Sequence, residues 1–115
     1  MDTSLASLSD RFRPFAEALI EKCAAEGILL VVICTLRTEQ QQQDCIKRGV
    51  SWTTRSKHLT GDAIDVATAE LIKQKNWAPG DPLWQQIGSI GESLGMTWGG
   101  RWTHKDMGHF EFKEG

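Results

Sequence analysis

Apolar residues at Phe12, Phe15, Ala16, Leu19, Ile20 and Cys23 recur at three- and four-residue steps, the spacing of one face of an amphipathic helix. Pro14 falls in that helix's first turn, where a missing N–H costs nothing, and Gly27 suits the position just past its end. The stretch from Ile28 to Thr35 is short, continuously apolar and rich in β-branched residues, and reads as a buried strand. Thr38-Glu39-Gln40-Gln41 is a capping-box pattern. It predicts a helix from Glu39 to Arg48, ended by Gly49, with the glutamine run as a solvated face. Val50 to Lys57 is polar and irregular, hence loop.

Farther on, Ala63-Ile64-Asp65-Val66-Ala67 alternates small or polar residues with β-branched ones. As a strand it places Ala63, Asp65 and Ala67 on one face and sends Ile64 and Val66 into the core from the other. Lys73 to Gly80 reads as loop. Asp81-Pro82 looks like the N-cap and first residue of another helix, with Leu83, Trp84, Ile87, Ile90 and Leu94 as its buried stripe and Gly95 closing it. Met96-Thr97-Trp98 is a short strand running into a Gly99-Gly100 turn. His109-Phe110-Glu111-Phe112 alternates again, His109 and Glu111 on one face and both Phe on the other. The order α, β, α, β, α, β, β, without an internal repeat, predicts an α+β fold with a small, mostly antiparallel sheet and helices packed around it.

A chain of 115 residues is expected to be one domain, 1–115, large enough to bury a real core. Net charge is −2, which leaves no electrostatic footprint for nucleic acid. Nothing approaches a membrane span. The first ten residues lack the basic and apolar regions of a secretory signal, so synthesis in a cytoplasm is expected. The three cysteines form an odd set, which speaks against a disulfide framework. Cys23 and Cys34 read as small core residues, and without a C-x-x-C pair no cysteine zinc site is expected.

Two imidazoles and a carboxylate, His58, Asp65 and His109, could hold one zinc ion on three protein ligands, leaving a fourth tetrahedral position for water. His58 and Asp65 are seven apart and could not meet on one regular element. With His58 in a loop, a turn at Thr60-Gly61 and Asp65 on a strand, they can. The alternative is a surface histidine and a turn acid, but Asp65 sits mid-strand, where an inward acid needs a partner. Asp106 is either an exposed acid in a turn or a proton carrier. Arg37 is either a surface residue at a strand end or a clamp for a substrate carboxylate. Asp62 reads as solvent-facing, and Trp98 and Trp102 as core filler or cleft wall.

The pattern Ser56-x-His58-x-x-Gly61-x-Ala63-x-Asp65, followed by Trp98-Gly99-Gly100-x-Trp102 and Asp106-x-x-His109-Phe110, resembles the M15 zinc peptidases, and most closely their L-alanyl-D-glutamate endopeptidase branch, which includes phage endolysins. Leu36-Arg37-Thr38 with Gln42 and Gly49 is similar to that branch's Arg-Ser/Thr-x-x-x-Gln segment. The resemblance runs from Arg37 to Phe112. It implies a D-Ala-D-Ala metallopeptidase/hedgehog-like fold and one Zn2+ per chain on His58, Asp65 and His109. It makes Asp106 the general base and gives Arg37, Gln42, Ser56 and Trp98 to the substrate, the stem peptide of peptidoglycan. His104 is a spare imidazole near the site, and Glu111 stands behind His109. The implied protein is a monomer, made without a signal peptide and released to the cell wall through a holin. A D-Ala-D-Ala carboxypeptidase and a non-catalytic zinc-stabilised wall-binding module are the other readings. The Asp-x-x-His form weighs against the first. The presence of Asp106 and Arg37 weighs against the second.

Overall fold

The structure is a computed structural model that describes residues 1–49 and 56–114; most of the loop read from Val50 to Lys57 therefore lies outside the described residues. The first helical stripe becomes α1, Arg13–Ala25, with Pro14 in its first turn and Gly27 at φ +78° behind its end. The apolar run becomes β1, Leu30–Cys34. The capping box opens α2, Glu39–Lys47: the Thr38 hydroxyl accepts from Gln41 N, and the Gln41 side chain accepts from Thr38 N. After a 3-10 turn at Lys57–Thr60 come β2, Ala63–Thr68, a short helix α3, Ala69–Lys73, then α4, Pro82–Ser93, β3, Thr97–Trp98, and β4, His109–Glu111.

The strands form one antiparallel sheet in the order β1-β2-β4-β3. The middle strand β2 is the one buried on both faces: Ala63, Ile64, Val66 and Ala67 are all fully buried. Small residues on its second face let other chain segments close over it. β1, read as a strand covered on both sides, is instead an edge strand. Val31 is 42% and Leu29 73% exposed, because an edge strand packed on one face still reads as an unbroken apolar run.

α3 has no counterpart in the sequence reading. It starts where the Thr68 hydroxyl accepts from Leu71 N at 3.1 Å and it buries Leu71. In α4 the fully buried positions are Trp84, Ile87, Gly88 and Gly91, while Leu83, Ile90 and Leu94 are half-buried. The two glycines bring the helix backbone down onto the sheet. A Cβ on Gly88 would stand 2.4 Å from the Trp98 ring, and one on Gly91 2.3 Å from Phe110. Trp98 and Phe110 stack on each other beneath them, so α4, β3 and β4 share one core with α1.

Asp62 is buried, contrary to the expectation that it faces solvent. Its carboxylate accepts from Ser9, from Thr60 at 2.8 Å, and from Arg11 through two nitrogens at 2.9 and 3.1 Å. Gly61 makes the approach of the N-terminal segment possible. It sits at φ +74°, and a Cβ there would lie 2.8 Å from Ser9 N. The Gly61 carbonyl in turn accepts from Ser9 N at 2.9 Å. No helix among the described residues is long and apolar enough to cross a membrane.

Candidate metal centre

Three segments bring His58, Asp65 and His109 together. Asp65 on β2 is the cross-strand partner of His109 on β4, so both side chains leave the same face of the sheet. His58 comes from the 3-10 turn ahead of β2. Ser56 caps that turn, its hydroxyl accepting from His58 N at 3.2 Å. The segment after β1 is laced to the same turn, with Arg37 N donating to the His58 carbonyl at 3.0 Å.

The outer partner of each ring dictates which nitrogen faces inward. His58 Nδ1 lies 2.7 Å from the Thr35 carbonyl. A carbonyl only accepts, so Nδ1 carries the proton and Nε2 presents a lone pair. That Nε2 is buried and has no hydrogen-bond partner among the described residues, although it lies 3.1 Å from Asp65 Oδ1. His109 Nε2 is held by Glu111 Oε1 at 2.8 Å, which turns Nδ1 toward Asp65 Oδ1 at 3.0 Å. His58 Nε2 and His109 Nδ1 thus both face one carboxylate oxygen that only accepts. A cation between them resolves the conflict. Tetrahedral zinc with N and O ligands at about 2.0–2.2 Å has ligand–ligand edges of roughly 3.3–3.6 Å, close to the two spacings found. The chemistry of the donor set, two imidazole nitrogens and a carboxylate oxygen, fits zinc.

With protons as the only counter-charges, the same geometry distorts the titration. Burial opposes charge on both rings, but the Asp65 carboxylate overrides it, pushing His58 up to about 10 and His109 up to about 9. Burial works against the ionised form of Asp65 too, and the hydrogen bonds and charge of the two imidazoles hold its carboxyl well below the usual range. Two imidazoles round one buried carboxylate make a site that takes up positive charge, as protons or as a metal that displaces them.

Asp106 lies 3.9 Å from His109 Nδ1 and its side chain is 52% exposed, so it faces the open side of the cluster. Its carboxyl is raised above the ordinary value, by the protein around it and by the negative charge of Asp65. Gly99 sets its place. Asp106 N donates to the Gly99 carbonyl at 3.0 Å, and a Cβ on Gly99 would stand 2.6 Å from the Asp106 carbonyl and 3.2 Å from His109 Cβ. Trp102, half-buried, rests its ring centroid 5.0 Å from that of His109 and walls this side.

Arg37 is nearly buried. Its Nη1 donates to Gln42 Oε1 at 2.6 Å and its Nη2 lies 3.6 Å from Asp65 Oδ2. Gln42 is 1% exposed and buttresses the arginine, where the sequence reading gave it substrate amides to bond. A groove of about 230 Å³ between α2 and the 3-10 turn, lined by Glu39, Gln42, Gln43, Ile46 and Leu59, adjoins this pair. Trp98 does not line a cleft. It is 1% exposed, packed under α4, with Nε1 donating to the Met107 carbonyl at 2.8 Å. The assignment of Trp98 to substrate is therefore corrected: its faces are taken up by Gly88, Gly100 and Phe110. His104 is exposed.

Sequence reasoning missed Cys34. It is buried like a core residue, but its Sγ, a His58 ring nitrogen and an Asp65 oxygen lie within 4.8 Å of one another, as do ligand atoms of Asp65, Asp106 and His109. A search for C-x-x-C could not find it, because its neighbours come from the 3-10 turn and from β2.

Comparison with known proteins bears on this geometry. A profile of the M15 peptidases, described as D-alanyl-D-alanine carboxypeptidase, matches residues 49–112. An L-alanyl-D-glutamate peptidase from a Listeria phage is 33% identical over 107 residues, 91% of this chain. The chain spans 38% of the length of that relative. Among solved structures, the Serratia marcescens L-Ala D-Glu endopeptidase ChiX superposes with a TM-score of 0.73 at 24% identity, over 95% of this chain and 83% of its own. A vancomycin-resistance D,D-pentapeptidase, VanY, in complex with Zn(II), gives 0.64 at 15% identity, over 91% of this chain and 72% of its own. These structural likenesses establish a shared fold.

Proposed function

The chain belongs to the M15 peptidase family, whose profile covers more than half of it, and from that premise we propose that it is a zinc-dependent endopeptidase cleaving the L-Ala–D-Glu bond of the peptidoglycan stem peptide. The observation that carries the reading is the convergence of His58 Nε2 and His109 Nδ1 on Asp65, with Asp106 beside them on the open side. The endopeptidase specificity is supported by the phage relative, which matches across 91% of this chain.

In this reading His58, Asp65 and His109 hold one zinc ion. Bound zinc supplies Lewis acidity and lowers the pKa of water that reaches it to about 7. Glu111 and the Thr35 carbonyl keep the two rings in the tautomers that ligation requires. Asp106, on the open side of the cluster, takes the proton from the attacking water and passes it to the leaving amine. Arg37, held by Gln42, presents its guanidinium to the substrate carbonyl or carboxylate. Ser56 acts through the turn that carries His58. The catalytic unit lies within 1–115 and works as a monomer. The protein acts as a lytic enzyme on the wall, made in the host cytoplasm and released by a holin.

The profile's description favours the second specificity, removal of a terminal D-Ala. Digesting purified peptidoglycan and sequencing the new termini by mass spectrometry separates the two. We expect new amino termini on D-Glu and loss of wall turbidity. Release of free D-Ala alone would overturn the endopeptidase reading and leave the zinc hydrolase. Binding without any product would leave only a wall-binding module.

A further inference from the structure

His58 is held from two directions, and both holds lead back to one stretch of chain. On the ring side, Nδ1 donates to the Thr35 carbonyl at 2.7 Å. Thr35 lies just past a bulge in β1. Pairing with β2 runs regularly from Leu30↔Thr68 to Val32↔Val66, and then Cys34 stands opposite Asp65, with Ile33 as the extra residue. Beyond that point the N-terminal segment takes over from β2. Thr35 N donates to the Asp2 carbonyl at 2.8 Å, and the buried Thr35 hydroxyl lies 3.2 Å from that carbonyl and from Asp2 Oδ1.

On the backbone side, the 3-10 turn that carries His58 ends at Gly61. The Gly61 carbonyl accepts from Ser9 N, and the neighbouring Asp62 carboxylate accepts from Ser9 and Arg11. Between these two holds the segment is braced as one piece. Ser4 caps a 3-10 turn at Leu5–Ser7, Leu8 is buried, and the Arg13 guanidinium donates to the carbonyls of Leu5, Ala6 and Leu8 at 3.2, 3.2 and 2.7 Å. A strand end without such a brace frays, and the carbonyl that fixes the His58 ring sits at a strand end.

We propose that residues 2–11 form a clasp that positions the metal ligand His58, with Asp2 and Asp62 as its two positioning residues. Asp2 acts on the ring through Thr35, and Asp62 acts on the turn through its bonds to Ser9 and Arg11. This rests on the zinc reading above. The partner behind a ligating histidine sets its tautomer and orientation, and the clasp holds that partner still.

Nitrogen NMR of the histidine-labelled, zinc-loaded full chain tests it, together with zinc titration against a competing chelator. Asp2→Ala and Thr35→Val are each expected to speed solvent exchange of the His58 Nδ1 proton and to lower zinc affinity by about 10-fold, the lower end of the scale for loosening a partner behind a ligating ring. The His109 Nε2 proton, held by Glu111, should keep its parent exchange rate. Asp2→Asn and Thr35→Ser keep the acceptor and the donor and should restore both readouts. Asp62→Asn should also weaken zinc binding, and its loss should add to that of Asp2→Ala, because the two holds are separate. Parent affinity and parent His58 exchange in Asp2→Ala and Thr35→Val would overturn the clasp and leave the zinc reading standing. Equal loosening of His58 and His109 would also overturn it, since that is the mark of general destabilisation. Asp2→Ala alone decides if Thr35→Val does not fold, because Asp2 lies outside every helix and strand and is only half-buried. A parent chain that binds no zinc would overturn both readings.

Discussion

Glu111 Oε1 sits 2.8 Å from His109 Nε2, two residues along the same strand. A carboxylate only accepts, so Nε2 carries a proton toward Glu111, and it is Nδ1, facing Asp65, that is left to ligate when a metal replaces its proton. The other Glu111 oxygen is held by Lys57 Nζ at 3.3 Å, and Lys57 also donates to the Phe112 carbonyl at 2.7 Å. His109 is thus oriented by a chain that begins at the residue preceding His58.

Removing that orientation should cost metal before it costs fold. Glu111→Ala is expected to weaken zinc binding by about 10–100-fold, the usual scale for losing a carboxylate behind a ligating histidine. Glu111→Gln retains an acceptor and should recover much of it. Titration of zinc against a competing chelator, with circular dichroism to follow folding, reads the result. Unchanged affinity in the Ala variant would mean that Glu111 does not orient the ring.

Asp106→Asn should keep both the metal and the fold, since the Asp106 side chain is half-exposed. Turnover of purified peptidoglycan should fall by about 10²–10⁴-fold, the range for a general acid–base group. Near-normal turnover at full zinc occupancy would pass the proton-carrier role to another residue, with His104 the next to test.

Arg37 and Gln42 should behave as one unit. Arg37→Ala is expected to abolish most cleavage with zinc retained, and Arg37→Lys should not restore it, because an ammonium cannot reproduce the planar fork that reaches Gln42 and Asp65 together. Gln42→Ala should lose less, up to about 10²-fold, the effect of a misplaced catalytic group. Gln42→Glu keeps an acceptor for Arg37 and should lose less than Gln42→Ala. If the double variant Arg37→Ala, Gln42→Ala loses the product of the two single losses, the residues act independently.

Acid should unlatch the N-terminal segment. The Arg11 guanidinium, against some desolvation, and then Ser9 and Thr60 hold the Asp62 carboxyl down to about 2. A depressed folded-state pKa contributes stability above the unfolded value near 3.8 and loses it as pH falls toward about 2. With screening at the half-exposed Arg11, the shift is worth on the order of 1 kcal/mol. Thermal unfolding of Asp62→Asn should be weaker by about that at pH 7 and should lose less than the parent chain between pH 4 and 2. Parallel pH profiles for the two proteins would contradict the latch.

Local interactions made much of this protein legible in one dimension. A capping box needs only Thr38 and Gln41, an N-cap only Asp81 and the N–H of Leu83, and strand alternation only the period of the backbone, so α1, α2, α4 and β2 could be read directly. The same alternation put Asp65, and separately His109, on a face that was not pure core, and the resemblance to the M15 motif drew His58 to them. Tertiary structure decided what depends on who lies opposite whom. The strand order made β2 the buried centre and β1 an edge. Gly88 and Gly91 let α4 press Trp98 into the core and out of any cleft. The N-terminal segment folded back over Gly61 to bury Asp62. A single extra residue in β1 carried Cys34 round to Asp65, a placement no linear spacing encodes, because it depends on the register between two strands about thirty residues apart in the chain.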